Sequence, residues 1–264
     1  MNTMELIRTR RSVRTMDGRP LTAEDRDRLS ARLETIRNPY DIPVEFVLLD
    51  AGEHGLSSPV IKGASLYIAA KVAAVPHGEE AFGFSFEEMV LAAWSMGIGT
   101  TWIAGSMNRR LFERAAGVRD GERMYCVSPL GYPAPKMSLR ETVMRKGVGA
   151  NHRKPWSELF FDGDFSTPLT AEDPAVSDAL EAVRLAPSAV NQQPWRVVRQ
   201  GARFHFYEKH SKGYAGKEGG DLQKVDLGIA LCHFMRMLPG ELCVEDPGLA
   251  APEGMDYIAT VAAE

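Results

Sequence analysis

The sequence predicts an α+β fold assembled from two similar halves, each a mixed or antiparallel sheet flanked by helices. Three observations carry this reading: a hexapeptide that occurs twice, the same order of helix, loop and strand after each copy, and one strongly apolar helix further along each half.

Pro20-Leu21-Thr22-Ala23-Glu24-Asp25 recurs letter for letter as Pro168-Leu169-Thr170-Ala171-Glu172-Asp173. A threonine followed three residues later by aspartate suits a helix N-terminus, where its hydroxyl can cap free N–H groups and acidic side chains meet the positive end of the helix dipole. The two expected helices close in similar segments, Leu33-Glu34-Thr35-Ile36-Arg37 and Leu180-Glu181-Ala182-Val183-Arg184. A proline and a β-branched run follow each, at 43–49 and 194–198, and predict strands. Residues 86–96 and 222–237 are apolar on several faces and predict central helices. Residues 124–127 and 255–261 predict a strand near the end of each half. Phe161-Asp162-Gly163-Asp164-Phe165-Ser166-Thr167 has the composition of a linker, so the expected division is 1–160, 161–167 and 168–264. Two such halves imply a monomer with an internal interface built like that of a two-fold dimer, a place where ligands commonly bind.

The bulk properties narrow the function. A chain of 264 residues with 44% hydrophobic and 25% charged residues can bury a sizeable core unaided. Its net charge of -4 provides no general attraction to nucleic acid or to an anionic membrane, and favours a small-molecule partner. Cys126, Cys232 and Cys243 form no Cys-x-x-Cys pair and are read as reduced thiols, and the six histidines lack metal-ligand spacing, so no metal is expected. Ser188 lacks the Gly-x-Ser-x-Gly setting of a hydrolase nucleophile. Residues 1–14 are charged throughout, unlike a signal peptide, and no apolar stretch reaches the length of a membrane span; a cytoplasmic enzyme is the expectation.

Three segments carry chemistry. Arg8, Arg10, Arg11, Ser12 and Arg14 crowd together; they are either a solvated basic stretch or a phosphate clamp of forked guanidinium donors and a hydroxyl. Gly97-Ile98-Gly99-Thr100-Thr101-Trp102-Ile103-Ala104-Gly105 is either a helix cap leading to a buried turn, with Gly97 and Gly99 free to take positive φ, or a small-residue backbone that a flat ring can approach. Ala186-Pro187-Ser188-Ala189-Val190-Asn191-Gln192-Gln193-Pro194-Trp195 places donors and acceptors between two prolines, as recognition of a heterocycle's edge requires; the matching loop 38–42 lacks Ser and Gln.

Together with Leu130-Gly131-Tyr132-Pro133-Ala134, these segments resemble the nitroreductase family, and the resemblance spans nearly the whole chain. The Pro-Ser-x-x-Asn-x-Gln-Pro-Trp element, residues 187–195, is its most specific part. The resemblance implies an FMN site shared between the arginines of one half and the Pro-Ser-x-x-Asn loop of the other. Ordinary members carry both in one subunit and dimerise; here each half carries one, which implies one FMN per chain. By the same resemblance Arg10, Arg11 and Ser12 hold the phosphate, Arg153 closes it, and Arg14 lies by the ribityl chain or the N1 and O2 edge. Pro187, Ser188 and Asn191 contact the ring and ribityl groups with Gln193 nearby, Ala104 and Gly105 present backbone groups around N5, and Lys62 is a further candidate at the flavin edge. The implied activity is ping-pong transfer of hydride from NAD(P)H to a nitroaromatic, quinone or enone. Two other readings remain open at this point: an FMN-binding storage or sensing protein, covered by 75–84 or 209–220 as a lid, and a structural or regulatory domain without flavin.

Overall fold

The computed structural model of the chain describes residues 1–216 and 220–263. In chain order, helices α1 (Thr3–Thr9) and α2 (Ala23–Thr35) lead to strand β1 (Val44–Asp50), the short helix α3 (Ala51–His54) and strand β2 (Leu66–Ala73). The long helix α4 (Gly78–Ser95) and α5 (Arg109–Ala116) precede the short strands β3 (Glu122–Arg123) and β4 (Val127–Leu130), then α6 (Leu139–Gly147), α7 (Trp156–Leu159) and β5 (Phe160–Asp162). The remainder is α8 (Pro174–Leu185), a 3-10 turn (Ala189–Asn191), β6 (Trp195–Gln200), β7 (Arg203–Lys209), β8 (Ala215–Gly216), β9 (Gly220–Asp221), a second long helix α9 (Leu222–Met237), β10 (Gly240–Cys243) and β11 (Met255–Ala263). Among the described residues, no helix is long and apolar enough to cross a membrane.

The repeated hexapeptide starts its two helices differently. Thr22 caps α2, its hydroxyl accepting from the Asp25 N–H. In the second copy Thr170 is passed over and Asp173 caps α8, accepting from the Ala175 N–H. Pro174 is the cause: it has no N–H and disfavours helical geometry in the residue before it, so it is tolerated at the first helical position and not a turn inside.

One sheet centres on β2, with β1, β3 and β4 antiparallel to it. Seven successive residues of β2 are buried, so this strand is covered on both faces. The other sheet runs β10-β11-β7-β6-β5, antiparallel except for the parallel β5–β6 pair. Of the expected strand 124–127, only Val127 lies in a strand. The Arg109 guanidinium donates to the carbonyls of Met124 and Tyr125, which turns them away from a ladder. Of the expected linker 161–167, Phe161 and Asp162 belong to β5 and pair with Val198 and Arg199, while the rest is turn. Helix α1 joins the same side of the molecule, with Leu6 and Ile7 in the core formed by α8, α9, β6, β7 and β11.

Helix α4 begins at Gly78, well before residue 86, so the candidate lid 75–84 is largely the buried start of a core helix, with Ala81 and Phe82 fully enclosed. Four glutamates, Glu79, Glu80, Glu87 and Glu88, interrupt its apolar pattern and obscure its length. Helices α4 and α9 cross in close contact because each has a glycine at the crossing. A Cβ on Gly83 would come within 2.0 Å of the Val225 carbonyl oxygen, and one on Gly228 within 2.1 Å of the Glu80 carbonyl oxygen.

Candidate functional site

Residues 12–16 run extended, bridged to Thr100, Lys62 and Pro133. The Val13 N–H donates to the Thr100 carbonyl at 2.8 Å and the Lys62 N–H to the Arg14 carbonyl at 2.9 Å. Extended backbone sends alternate side chains to opposite sides. Val13 and Thr15 therefore go into the core, and Ser12 and Arg14 go into a cleft of about 600 Å³. Gly99 makes the approach possible: a Cβ there would lie 2.8 Å from that of Val13, and its φ is not positive, contrary to expectation. Gly97, at φ 77°, does take the left-handed conformation.

Arg10, Arg11, Ser12 and Arg14 line this cleft, as do Ala104, Gly105 and Arg153. Pro187, Ser188 and Asn191 reach it from the segment between α8 and β6. Two expected residues do not. The Lys62 side chain is exposed and its main chain serves as the bridge to residues 14–16. Gln193 is buried behind the loop, its side-chain oxygen accepting from the Lys154 N–H at 2.9 Å.

The 187–193 loop is strained. Val190, Asn191 and Gln193 have φ of 49°, 58° and 52°, a region that a β-branched residue such as valine rarely enters. A dense set of bonds holds it. The Ala189 N–H donates to both Asp226 carboxylate oxygens, at 3.0 and 3.1 Å, and the Gln193 N–H to the Ser188 hydroxyl oxygen at 2.9 Å. The Asn191 amide donates to the Gly149 and His152 carbonyls at 2.8 and 3.0 Å, which ties the loop to the segment bearing Arg153. Asn191 therefore faces the cleft with its NH2 group already bonded to the protein, and the Ser188 hydroxyl hydrogen remains available.

The arginines are held by partial partners. Arg10 sits 3.7 Å from Glu87, and Arg11 3.9 Å from Glu141. Glu141 in turn accepts from the Thr15 hydroxyl at 2.8 Å. Arg153 donates to the carbonyls of Ala150, His152 and Leu185. Even so, Arg10 Nε, Arg11 Nη1 and Arg153 Nε are buried without a hydrogen-bond acceptor among the described residues. Burial lowers the pKa of Arg10, Arg14 and Arg153; Arg145 depresses Arg10 and Arg14 further, and Arg10 does the same to Arg153. Desolvated cations that repel one another, with donors left open, make a site for an anion.

Sequence reasoning missed several residues lining the cleft. Arg145 on α6 adds a further, half-buried cation but stands between the exposed basic residues Arg140 and Lys146 with no distinguishing mark in the sequence. Trp102 donates from its indole to Glu87 at 3.1 Å. Asp226 is only 3% exposed, and burial raises its carboxyl pKa well above the ordinary value, partly offset by the Ala189 N–H. A lone aspartate in the apolar run of α9 was the available signal. Cys126 also lines the cleft, and burial pushes its thiol pKa up.

Residues 2–237 match the family model described as "Putative TM nitroreductase". The chain belongs to this nitroreductase family. Its fold resembles the crystal structure of a Thermotoga maritima protein described as a "putative nitroreductase", with a TM-score of 0.65 at 21% identity, over 100% of this chain and 94% of that one. Smaller family structures align with part of the chain. A nitroreductase family protein of Clostridium difficile 630 has a TM-score of 0.47 at 15% identity, over 60% of this chain and 96% of its own. An FMN-dependent nitroreductase of Clostridium difficile R20291 has a TM-score of 0.43 at 16% identity, over 53% of this chain and 94% of its own. No curated protein matches the sequence. Within the nitroreductase family the α+β fold is common ground, and the arginine cluster and the 187–193 loop occupy one cleft in this member.

Proposed function

We propose that the cleft binds one FMN per chain and that the protein is an NAD(P)H-dependent oxidoreductase. The observation that carries this is the meeting of Arg10, Arg11 and Ser12 with Pro187, Ser188 and Asn191 around one cleft of about 600 Å³, within the size range of cofactor pockets. The donor set fits the group. Open guanidinium N–H groups and the Ser12 hydroxyl suit a phosphomonoester, and the apolar or small residues Ile103, Ala104, Gly105 and Pro187 in the lining suit a flat ring.

In this reading Arg10, Arg11 and Ser12 bind the phosphate, with Arg145 and Arg153 adding positive charge. Arg14 would serve the N1 and O2 edge, where a partly desolvated guanidinium would stabilise negative charge more strongly than it does in water. Main-chain groups of Ala104 and Gly105 and the Pro187 ring line the cleft where they would hold the flavin ring. When bound, FMN supplies a nitrogen, N5, that accepts hydride from NAD(P)H and passes it to a nitroaromatic, quinone or enone. The chain positions these partners in turn and tunes the local charge; no side-chain nucleophile is required. The two sequence halves act as an internal pseudodimer, residues 1–160 contributing the arginines and 168–264 the loop.

Flavin quantification on the purified protein tests the binding, one equivalent per chain being expected, and two or none overturning it. Anaerobic stopped-flow mixing with NADH and NADPH tests the activity. Bleaching of flavin absorbance followed by recovery with a quinone is the expected result; a bound flavin inert to both nucleotides would make this a storage or sensing protein.

A further inference from the structure

Strand β7 carries Phe204, Phe206 and Glu208 at alternate positions, hence on one face. Phe204 and Phe206 pack against Phe234 of α9. Glu208 continues this apolar row at the other end, with a fully buried side chain whose two oxygens have no hydrogen-bond partner among the described residues. Buried carboxylates without partners are costly, and one in a slot for an aromatic residue demands a reason.

Its surroundings supply one. His210 Nδ1 lies 3.1 Å from Glu208 Oε1, and Asp221, the cap of α9, completes a group whose ligand atoms all lie within 4.8 Å of one another. The other imidazole nitrogen, Nε2, is 2.8 Å from Asp256 Oδ2. A hydrogen on Nε2, donated to Asp256, turns the lone pair of Nδ1 toward the Glu208 carboxylate. Two lone pairs face each other across that gap unless something positive lies between them. The backbone is fixed around it: Gln223 accepts from the Ser211 N–H and donates to the Lys209 carbonyl, and the His210 N–H donates to the Gly254 carbonyl. Three carboxylates, Glu208, Asp221 and Asp256, gather here with Lys224 as the nearby permanent cation.

We propose that Glu208, His210 and Asp221 form a binding site for a divalent transition-metal ion, with Asp256 as the carboxylate that orients the imidazole. A metal-bound histidine characteristically donates its second N–H to a carboxylate, and that arrangement is in place. One nitrogen and two carboxylate oxygens suit Zn2+, Mn2+ or Fe2+ better than the oxygen-seeking Ca2+ or Mg2+. The ligand atoms, within 4.8 Å of one another, would close on an ion by side-chain rotation to the usual ligand distances of roughly 2.0–2.2 Å. The exposed side of His210 leaves an entry path. None of the three ligands lines the FMN cleft, but an ion there joins His210 to Asp221 on either side of Tyr214, a cleft residue.

The test is calorimetric titration of ZnCl2 and MnCl2 into chelator-treated, full-length protein, with and without FMN, alongside thermal unfolding. One equivalent of metal and a raised Tm are expected, with binding weakened by about tenfold or more in Glu208→Gln and in Asp221→Asn. His54→Asn, far from the cluster in sequence and outside it, should leave binding unchanged. X-ray absorption at the zinc edge on the unaltered protein should show imidazole and carboxylate ligation without sulfur, which holds the test open if a variant misfolds. Absence of binding at millimolar metal would mean that a proton alone sits between Glu208 and His210 and would overturn the proposal, as would binding that survives Glu208→Gln or a sulfur ligand. Because the titration reads metal directly, its outcome is separate from that of the flavin assignment.

Discussion

His233 Nε2 lies 3.0 Å from a carboxylate oxygen of Glu87, and both side chains are fully buried. The Ala182 carbonyl, 2.9 Å from Nδ1, can only accept, so the imidazole donates on that side. Glu87 meanwhile accepts from Trp102 and faces Arg10, which links the crossing of α4 and α9 to the first arginine of the cleft. Removal of one member strands the other. His233→Leu is expected to destabilise the fold by about 3–5 kcal/mol, and the double variant His233→Leu/Glu87→Leu by less than the sum of the singles. Urea denaturation of the four proteins measures this; strictly additive losses would contradict it.

The clamp predicts a graded loss of FMN affinity. Arg11→Ala removes a cleft-facing donor and should weaken binding by about 1.5–3 kcal/mol, the range for charged hydrogen bonds. Lys62→Ala should leave affinity unchanged, since Lys62 acts through its main chain. Fluorescence titration of FMN into the two apo-variants distinguishes them, and equal losses would count against the assignment.

Asp226 predicts a pH dependence of stability. Its folded pKa is raised, chiefly by burial, so the folded state retains a proton that the unfolded chain releases near the ordinary carboxyl value. Its contribution is complete below the unfolded pKa and falls as pH rises toward the folded one. Asp226→Asn removes this slope. The Tm difference between Asp226→Asn and the parent protein should thus move in favour of the variant from pH 4 to pH 8, by the pH scale of about one carboxyl titration. A difference that stays constant across thermal scans would show that Asp226 ionises freely.

The glycine crossing predicts steric intolerance. Gly83→Ala and Gly228→Ala each place a methyl group against backbone, which cannot rotate away, so each should cost about 1–3 kcal/mol or more. Gly121→Ser, by comparison, meets open space but sits at φ 83°, and should show only the smaller backbone penalty. Chemical denaturation ranks the three; a neutral Gly83→Ala would refute the close approach.

Much of the site was legible because its residue types are uncommon in combination. Arg10, Arg11 and Ser12 and the 187–191 loop are local in sequence and chemically explicit, and both reach the cleft. Lys62 and Gln193 misled because residue type reveals nothing about direction: in both, the polar group or main chain serves the backbone of a neighbouring segment. Helix α1 was invisible, having only seven residues and burying only Leu6 and Ile7. The start of α4 was obscured by Glu79 and Glu80, which open the helix with charge, and its middle carries Glu87 and Glu88, whose partners His233 and Arg236 lie some 150 positions away and leave no local pattern. The left-handed Val190 likewise depends on Asp226, and nothing adjacent to it in the chain announces the strain.

The pairing of β5 with β6, and of α1 with the core of α8 and α9, bears on how the molecule could be divided. A cut between the two copies of the hexapeptide leaves an amino-terminal fragment still holding an edge strand and a helix that belong to the other fragment's core. Co-expressed pieces would have to re-form these contacts, because the carboxy-terminal portion by itself lacks the strand and the helix that complete its own core.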